Sequence, residues 1–394
     1  MDSIQMLGME LGASFFTPIS SITFYSTTTS ASHESTKAYI QQRVDAIIQA
    51  NPWLTGQLKS GWFLSNLTLD FDPQGKPLAV EEAHIPELSP RLELSKLAEL
   101  CFPFDVAVGT TLINSDRPLC RFTWITISDT QGALYFSLSH GIADGYTYYR
   151  LYGMLSAKTA VEALTPSRVL DFDARLDATV KDGNDSSTIM NSLAFMFNST
   201  MTMAFGPSLR YTVHTVNAEW VAKEKDKYKA ESPVGYVSTN DVLTSWVCRA
   251  MKCDIGFMAV NCRGRVDGVE RHHAGNYEFL LGYQPEDYAS PALIRESLAT
   301  NSLRRARSGS FPAVWTSRNL GTTSWVSLYE PAELPGWTMV EHLPALLGST
   351  VTPMIALIIF FQRTPTTIGV MFASREDLKL DNHPALAPRT GISN

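Results

Sequence analysis

One run of seven residues, Ser139-His140-Gly141-Ile142-Ala143-Asp144-Gly145, constrains this chain more than any other. Before it, Leu134, Phe136 and Leu138 alternate with Tyr135, Ser137 and Ser139, the period-2 pattern of a half-buried strand. Asp129-Thr130-Gln131-Gly132 reads as a hairpin turn that joins this strand to an equally strand-like run from Cys120 to Ser128. After Gly145 the period changes, and Tyr148, Leu151, Tyr152 and Leu155 fall on one helical face. His140 therefore sits where a strand hands over to a helix. Such a place holds a side chain rigidly while exposing it to a cleft.

A neutral imidazole at that place suits a general base, able to take a proton from an alcohol or amine as that group attacks. Three roles are open to Asp144. It can orient the ring tautomer as in a triad. It can turn away and pair with an arginine that fixes the loop. It can cap the following helix. Gly145 allows a backbone conformation that a Cβ would obstruct. The bland reading of His140, a hydrogen-bonded histidine at a strand end, is weighed by what surrounds the motif.

Further segments follow in order. Ala50-Asn51-Pro52-Trp53-Leu54 precedes Gly56-Gln57-Leu58, and Ser238-Thr239-Asn240-Asp241-Val242-Leu243-Thr244 opens a helix. Val260-Asn261-Cys262-Arg263-Gly264-Arg265 leads to Gly275-Asn276-Tyr277. Thr323-Ser324-Trp325 and Ser374-Arg375-Glu376-Asp377-Leu378 close the series. With His-x-x-x-Asp-Gly, this order resembles the chloramphenicol acetyltransferase-like superfamily, and within it the BAHD acyl-CoA-dependent acyltransferases. The resemblance covers the chain from about residue 35 to 380. Condensation domains of non-ribosomal peptide synthesis are cousins that usually carry two adjacent histidines, where this chain has Ser139. The second BAHD signature, Asp-Phe-Gly-Trp-Gly, does not occur; Glu333-Leu334-Pro335-Gly336-Trp337 stands in its place. In the family that segment is mainly structural, so the chain reads as a divergent member.

The resemblance implies an α/β (α+β) fold of two similar domains, each a mixed β-sheet flanked by helices, with a channel between them and His140 midway along it. It implies an acyltransferase moving groups other than aminoacyl from acyl-CoA to the hydroxyl or amine of a small specialised-metabolite acceptor. His140 is the expected base of a ternary complex. Thr323 is the expected oxyanion donor, Ser324 the alternative. Asp144 is expected to pair with an arginine, Arg263 in preference to Arg265, with Gly145 steric and Trp325 a channel wall. Tyr146, Tyr148, Tyr149 and the Met- and Phe-rich run Ile189 to Phe205 suggest an apolar or aromatic acceptor. Acyl-CoA is a co-substrate, with no permanently bound cofactor and no metal. Two rivals are an acyltransferase fed by a carrier protein and a non-catalytic ligand-binding relative.

The rest of the sequence bounds this reading. A chain of 394 residues suits two domains. The halves are expected at 1–175, which carries the histidine motif, and 176–394, with a polar crossover near 171–190. A net charge of −7 argues against a nucleic-acid partner, since no basic field exists to release phosphate counterions. Arg304, Arg305 and Arg307 are the densest basic cluster, read as a solvated helix end after Pro291 in preference to a coenzyme A phosphate site. Five cysteines without framework spacing read as core thiols in a reducing, cytoplasmic compartment, and His272-His273 as an exposed turn pair. No gap-free apolar run is long enough to span a bilayer. No Gly-x-Ser-x-Gly elbow calls for a covalent acyl-enzyme. A monomer is expected.

Along the chain, strands are expected near Ile19 to Tyr25 and Leu67 to Asp72. Between them a helix carries Ile40, Val44, Ile47 and Ile48 on one face and stops at Asn51-Pro52. Ile189 to Phe205 is expected as one core or tunnel-lining helix. The second half is expected to place a helix from Asn240 to about Met251 and a strand at Phe257 to Asn261. A helix from Pro291 and strands near Thr323 and through 354–373 follow.

Overall fold

The alternating run around the motif folds as its pattern requires. Cys120–Ser128 and Gln131–Leu138 form an antiparallel hairpin, with Phe122 opposite Phe136 and Trp124 opposite Leu134. In the computed structural model, all residues are described except 29–31, 62–65, 181–184, 300–302, 304, 306, 308–309, 346–352, 381–382 and 389–394. Ile19–Ser26 adds to the other side of Gln131–Leu138, and Glu81–His84 joins Cys120–Ser128 in parallel. The mixed sheet gains its fifth strand from far along the chain. Thr338–Pro344 pairs antiparallel with Ile19–Ser26, His342 opposite Thr23.

That late strand is stitched in by polar as well as apolar contacts. His342 is fully buried, its Nδ1 2.8 Å from Thr23 Oγ1 and its Nε2 3.0 Å from Tyr149 Oη. Burial pushes this imidazole's pKa down to about 3. Just before it, Trp337 donates from Nε1 to Thr36 Oγ1 at 2.7 Å and packs its ring against His33 and Trp124. The segment around Trp337 is thus a clasp on the helix His33–Ala50. That helix buries Ile40, Val44, Ile47 and Ile48, and stops where Pro52 removes the next amide donor.

A six-stranded mixed sheet builds the other core in the order Glu278–Tyr283, Ile255–Asn261, Asn319–Ser324, Ala356–Gln362, Ile368–Ser374, Arg210–Thr215. Thr239–Met251 covers it, started by a capping box between Ser238 and Asp241. The polar crossover is partly helical, with Phe172–Val180 preceding Asp185–Met190. Residues 181–184 of that crossover lie outside the described residues. Among the described residues, no helix is long and apolar enough to cross a membrane.

The Met- and Phe-rich run departs from its expected place. Ser192 caps a new helix through the amide of Phe195, so Asp185–Met190 and Leu193–Phe205 are separate. Phe195 packs on Phe257, but Leu193 and Phe205 are each 77% exposed and Met196 56%. This helix lies mostly on the surface and does not line a tunnel. Apolar content alone cannot say which face of a helix finds a partner.

Candidate active site

Strand pairing delivers His140 to the end of Gln131–Leu138, and Asp144 begins the helix Gly145–Gly153. Between them the chain makes a tight turn held by its neighbours. Asp144 caps the helix by accepting from the Thr147 amide at 2.9 Å. It also accepts from Arg263 Nη1 at 2.6 Å and from the Tyr277 amide at 3.1 Å. Both members of the Asp144–Arg263 pair are essentially buried. Burial alone pushes the Asp144 carboxyl up; the Arg263 charge and hydrogen bonds, with the two amides, outweigh it and hold the pKa below the usual carboxylate value. Arg263 lies in the turn after Ile255–Asn261, not in the strand itself. Arg265 points elsewhere, donating to the Leu298 carbonyl at 3.4 Å.

Asp144 does not touch the His140 ring, so it does not orient the tautomer. That task falls to Asn276. His140 Nδ1 lies 3.0 Å from Asn276 Oδ1. The amide group cannot be turned over, because Asn276 Nδ2 donates to the His140 carbonyl at 2.9 Å and to Glu10 Oε1 at 3.3 Å. Flipping it would aim an oxygen at two acceptors. A neutral ring must therefore donate from Nδ1, which leaves the Nε2 lone pair free. Behind Asn276, Glu10 is fully buried and paired with Arg168 at 2.9 Å, and it also accepts from the Leu7 and Asn276 amides. Arg168 reaches back to the carbonyls of Ile142 and Ala274, tying this cluster to the histidine turn.

Two glycines make the packing possible. Gly275 has φ +122°, and a Cβ there would lie 2.7 Å from the Arg168 guanidinium. Its carbonyl accepts from Arg263 Nη2 at 2.9 Å. Gly145 does not use the left-handed region, since its φ lies outside it. Its constraint is steric: a Cβ would sit 3.3 Å from Trp325 Nε1.

His140, Asp144, Gly145, Tyr146 and the Phe16–Ile19 segment form one wall of a cavity of about 870 Å³. Residues of the six-stranded sheet, including Thr323 and Ser324, form another, together with Trp325 just beyond the strand. Thr322 Oγ1 is bonded to the Phe257 carbonyl at 3.3 Å. The Thr323 and Ser324 hydroxyls have no partner among the described residues. Trp325 is largely buried, its ring 5.7 Å from that of Tyr149. Of the three tyrosines read as acceptor contacts, only Tyr146 lines the cavity. Tyr148 and Tyr149 are core residues whose hydroxyls meet Ser21 and His342.

Outside the cavity, the arginine cluster is not a solvated helix end. The helix Pro291–Ala299 stops before it, and Arg305 is buried against Asp287 at 3.3 Å; Arg304 lies outside the described residues. All five cysteines are free and buried, and burial pushes the Cys101 and Cys262 thiols up to about 12. Neither is a thiolate at neutral pH. The sequence pattern gives Asn276 no role and does not point to Glu10, Arg168 or Glu278. The only signal was the Gly275-Asn276 pair following the arginines.

Comparison with solved structures settles the architecture. TRI101 of F. sporotrichioides, in complex with coenzyme A and T-2, superposes with a TM-score of 0.63 at 13% identity, covering 95% of each chain. The chain has the chloramphenicol acetyltransferase-like fold. The first condensation domain of the CDA synthetase matches at 0.57 with 12% identity, covering 95% of this chain and 90% of that one. Polyketide synthase associated protein 5 of Mycobacterium tuberculosis matches at 0.60 with 12% identity, covering 95% and 93%. No family model matches the sequence, and no curated protein matches it by sequence.

Proposed function

We propose that the chain is a BAHD-type acyltransferase that moves an acyl group from a coenzyme A thioester to the hydroxyl or amine of a small acceptor. The observation that carries this reading is the His140–Asn276 lock, which presents a bare Nε2 on the wall of the cavity. Donor and acceptor bind together. As the acceptor oxygen or nitrogen attacks the thioester carbon, Nε2 takes its proton. The tetrahedral intermediate collapses with cleavage of the C–S bond, and the imidazolium returns the proton to the departing thiolate. Thr323 donates to the oxyanion, with Ser324 as the alternative donor. Asp144, Arg263 and Gly145 hold the loop; Arg265 and Trp325 serve as cavity walls.

The crossover near 171–190 divides the chain into halves of 1–175 and 176–394, with the site between them. The solved relatives in complex with coenzyme A support a coenzyme A donor. The acceptor is apolar or aromatic, a reading that rests on Phe16, Met258, Leu280, Trp325 and Leu357 in the wall. The protein acts as a cytoplasmic monomer.

A second reading has its own observation: the condensation-domain likeness fits a donor delivered on a carrier protein. One experiment separates them. Thiol release is measured from acetyl-CoA and from an acetylated carrier protein, with a panel of small alcohols and amines. The proposal expects release from free acetyl-CoA, reduced roughly 100- to 10,000-fold in His140→Ala. Release from the carrier alone favours the second reading, and release independent of His140 refutes both.

A further inference from the structure

One ionisable group in the cavity is not used by this mechanism. Glu278 opens the strand Glu278–Tyr283, two residues beyond Asn276. Side chains alternate along an extended chain, so Glu278 emerges on the side of Asn276, the side that meets His140. Across the hairpin Glu278 stands opposite Asn261 and Leu280 opposite Ala259, and all four line the cavity. Among the described residues, no side chain or amide hydrogen-bonds or ion-pairs with the Glu278 carboxylate.

Of the four lysine and arginine side chains that line the cavity, three are committed elsewhere, and the fourth, Lys225, makes no ion pair with Glu278. Arg263 is bound to Asp144, Arg295 to Asp241 at 2.7 Å, and Arg265 to a carbonyl. Burial pushes the Glu278 pKa up; the His140 and Arg263 charges oppose this and the Asp144 charge adds to it. An acid on a largely apolar wall with no partner of its own is costly to keep ionised. A ligand that carries a cation would supply the missing partner.

We propose that Glu278 selects the acceptor, its carboxylate binding a protonated nitrogen that the acceptor carries close to the group His140 deprotonates. The acceptor class is thus amine-bearing. The nitrogen is a recognition handle here, and the transfer step is unchanged. This deepens the acyltransferase reading and rests on it.

The test uses a pair of probes of one shape, phenethylamine and phenethyl alcohol, titrated calorimetrically into the full-length protein at neutral pH. The expected result is that the wild type binds the ammonium about 10- to 100-fold more tightly than the alcohol. Glu278→Gln, which keeps the side-chain shape, removes that preference and leaves alcohol binding within a few-fold. An equal affinity of the wild type for both probes overturns the proposal, as does a preference that survives in Glu278→Gln. A variant that loses both probes and melts early is replaced by Glu278→Met, read in the same way. His140-dependent thiol release from acetyl-CoA is followed in parallel. If that release persists while the amine preference is absent, the selectivity assignment fails alone. If Glu278→Gln slows amine and alcohol acceptors equally, Glu278 acts through His140 and is not a selector.

Discussion

The two walls that meet at the cavity are built on opposite principles. On the His140 side the charged and amide groups that hold the turn are paired, the buried Ser139 hydroxyl excepted: Asp144 by Arg263 and two amides, Asn276 by His140 and Glu10, Glu10 by Arg168. On the facing strand end the Thr323 and Ser324 hydroxyls have no partner among the described residues. A saturated, buried network fixes one geometry and penalises any change. Unpaired hydroxyls beside a cavity remain available for a ligand. The difference teaches where to look for rigidity and where for chemistry. The base is set in a frame, while the surface across from it is left open.

Substitutions can break this contrast. The largest effect on stability is expected from Asp144→Ala, which strands the Arg263 guanidinium in the interior at a cost of about 3–5 kcal/mol. Soluble yield and melting temperature should fall together. A variant with normal melting and only a slower rate would refute the framing role. His140→Ala should do the reverse, losing turnover with little change in melting.

Thr323→Ala should slow turnover about 100-fold or more without loss of stability, and Ser324→Ala by much less. The opposite order moves the oxyanion donor to Ser324.

Acid reaches the frame at His342, on the strand that the second half lends to the first sheet. Its folded pKa lies below the unfolded value of about 6.5, so the unfolded chain binds the proton first. Its contribution is complete above that pH and is lost progressively as pH falls toward about 3. Equilibrium unfolding between these limits should show an extra proton taken up, and His342→Gln should flatten that slope.

The smallest effect is at Gly145. An alanine Cβ would press on Trp325 at 3.3 Å, costing about 1 kcal/mol, read in melting. A loss of several kcal/mol would show that the contact cannot relax.

Much of the frame was legible in the sequence because its pieces are local. The period-2 run into Ser139, the switch to helical spacing at Tyr148, and the stop at Asn51-Pro52 each follow from a few neighbouring residues. Resemblance added the choice of Arg263 for Asp144, which the structure shows as a buried pair. What stayed hidden depends on distant pairing. Glu10 and Asn276 are 266 residues apart, and no periodicity connects them. The strand Thr338–Pro344 crosses to the first sheet through Trp337 and His342, and sequence spacing says nothing of that destination. Leu193–Phe205 misled for the opposite reason: its apolar side chains promised burial, yet much of their surface faces solvent. The tyrosines after the motif misled likewise, since Tyr148 and Tyr149 serve the core.

The central claim is that Asn276 holds His140 with its proton on Nδ1, so that Nε2 is the base. Long-range ¹H–¹⁵N correlation spectra of histidine-labelled protein test this directly, with the His140 signal identified by its loss in His140→Ala. At a pH where the ring is neutral, the account predicts a protonated Nδ1 and a bare Nε2, and a mixture of tautomers in Asn276→Ala. A neutral His140 protonated at Nε2 in the wild type would contradict it.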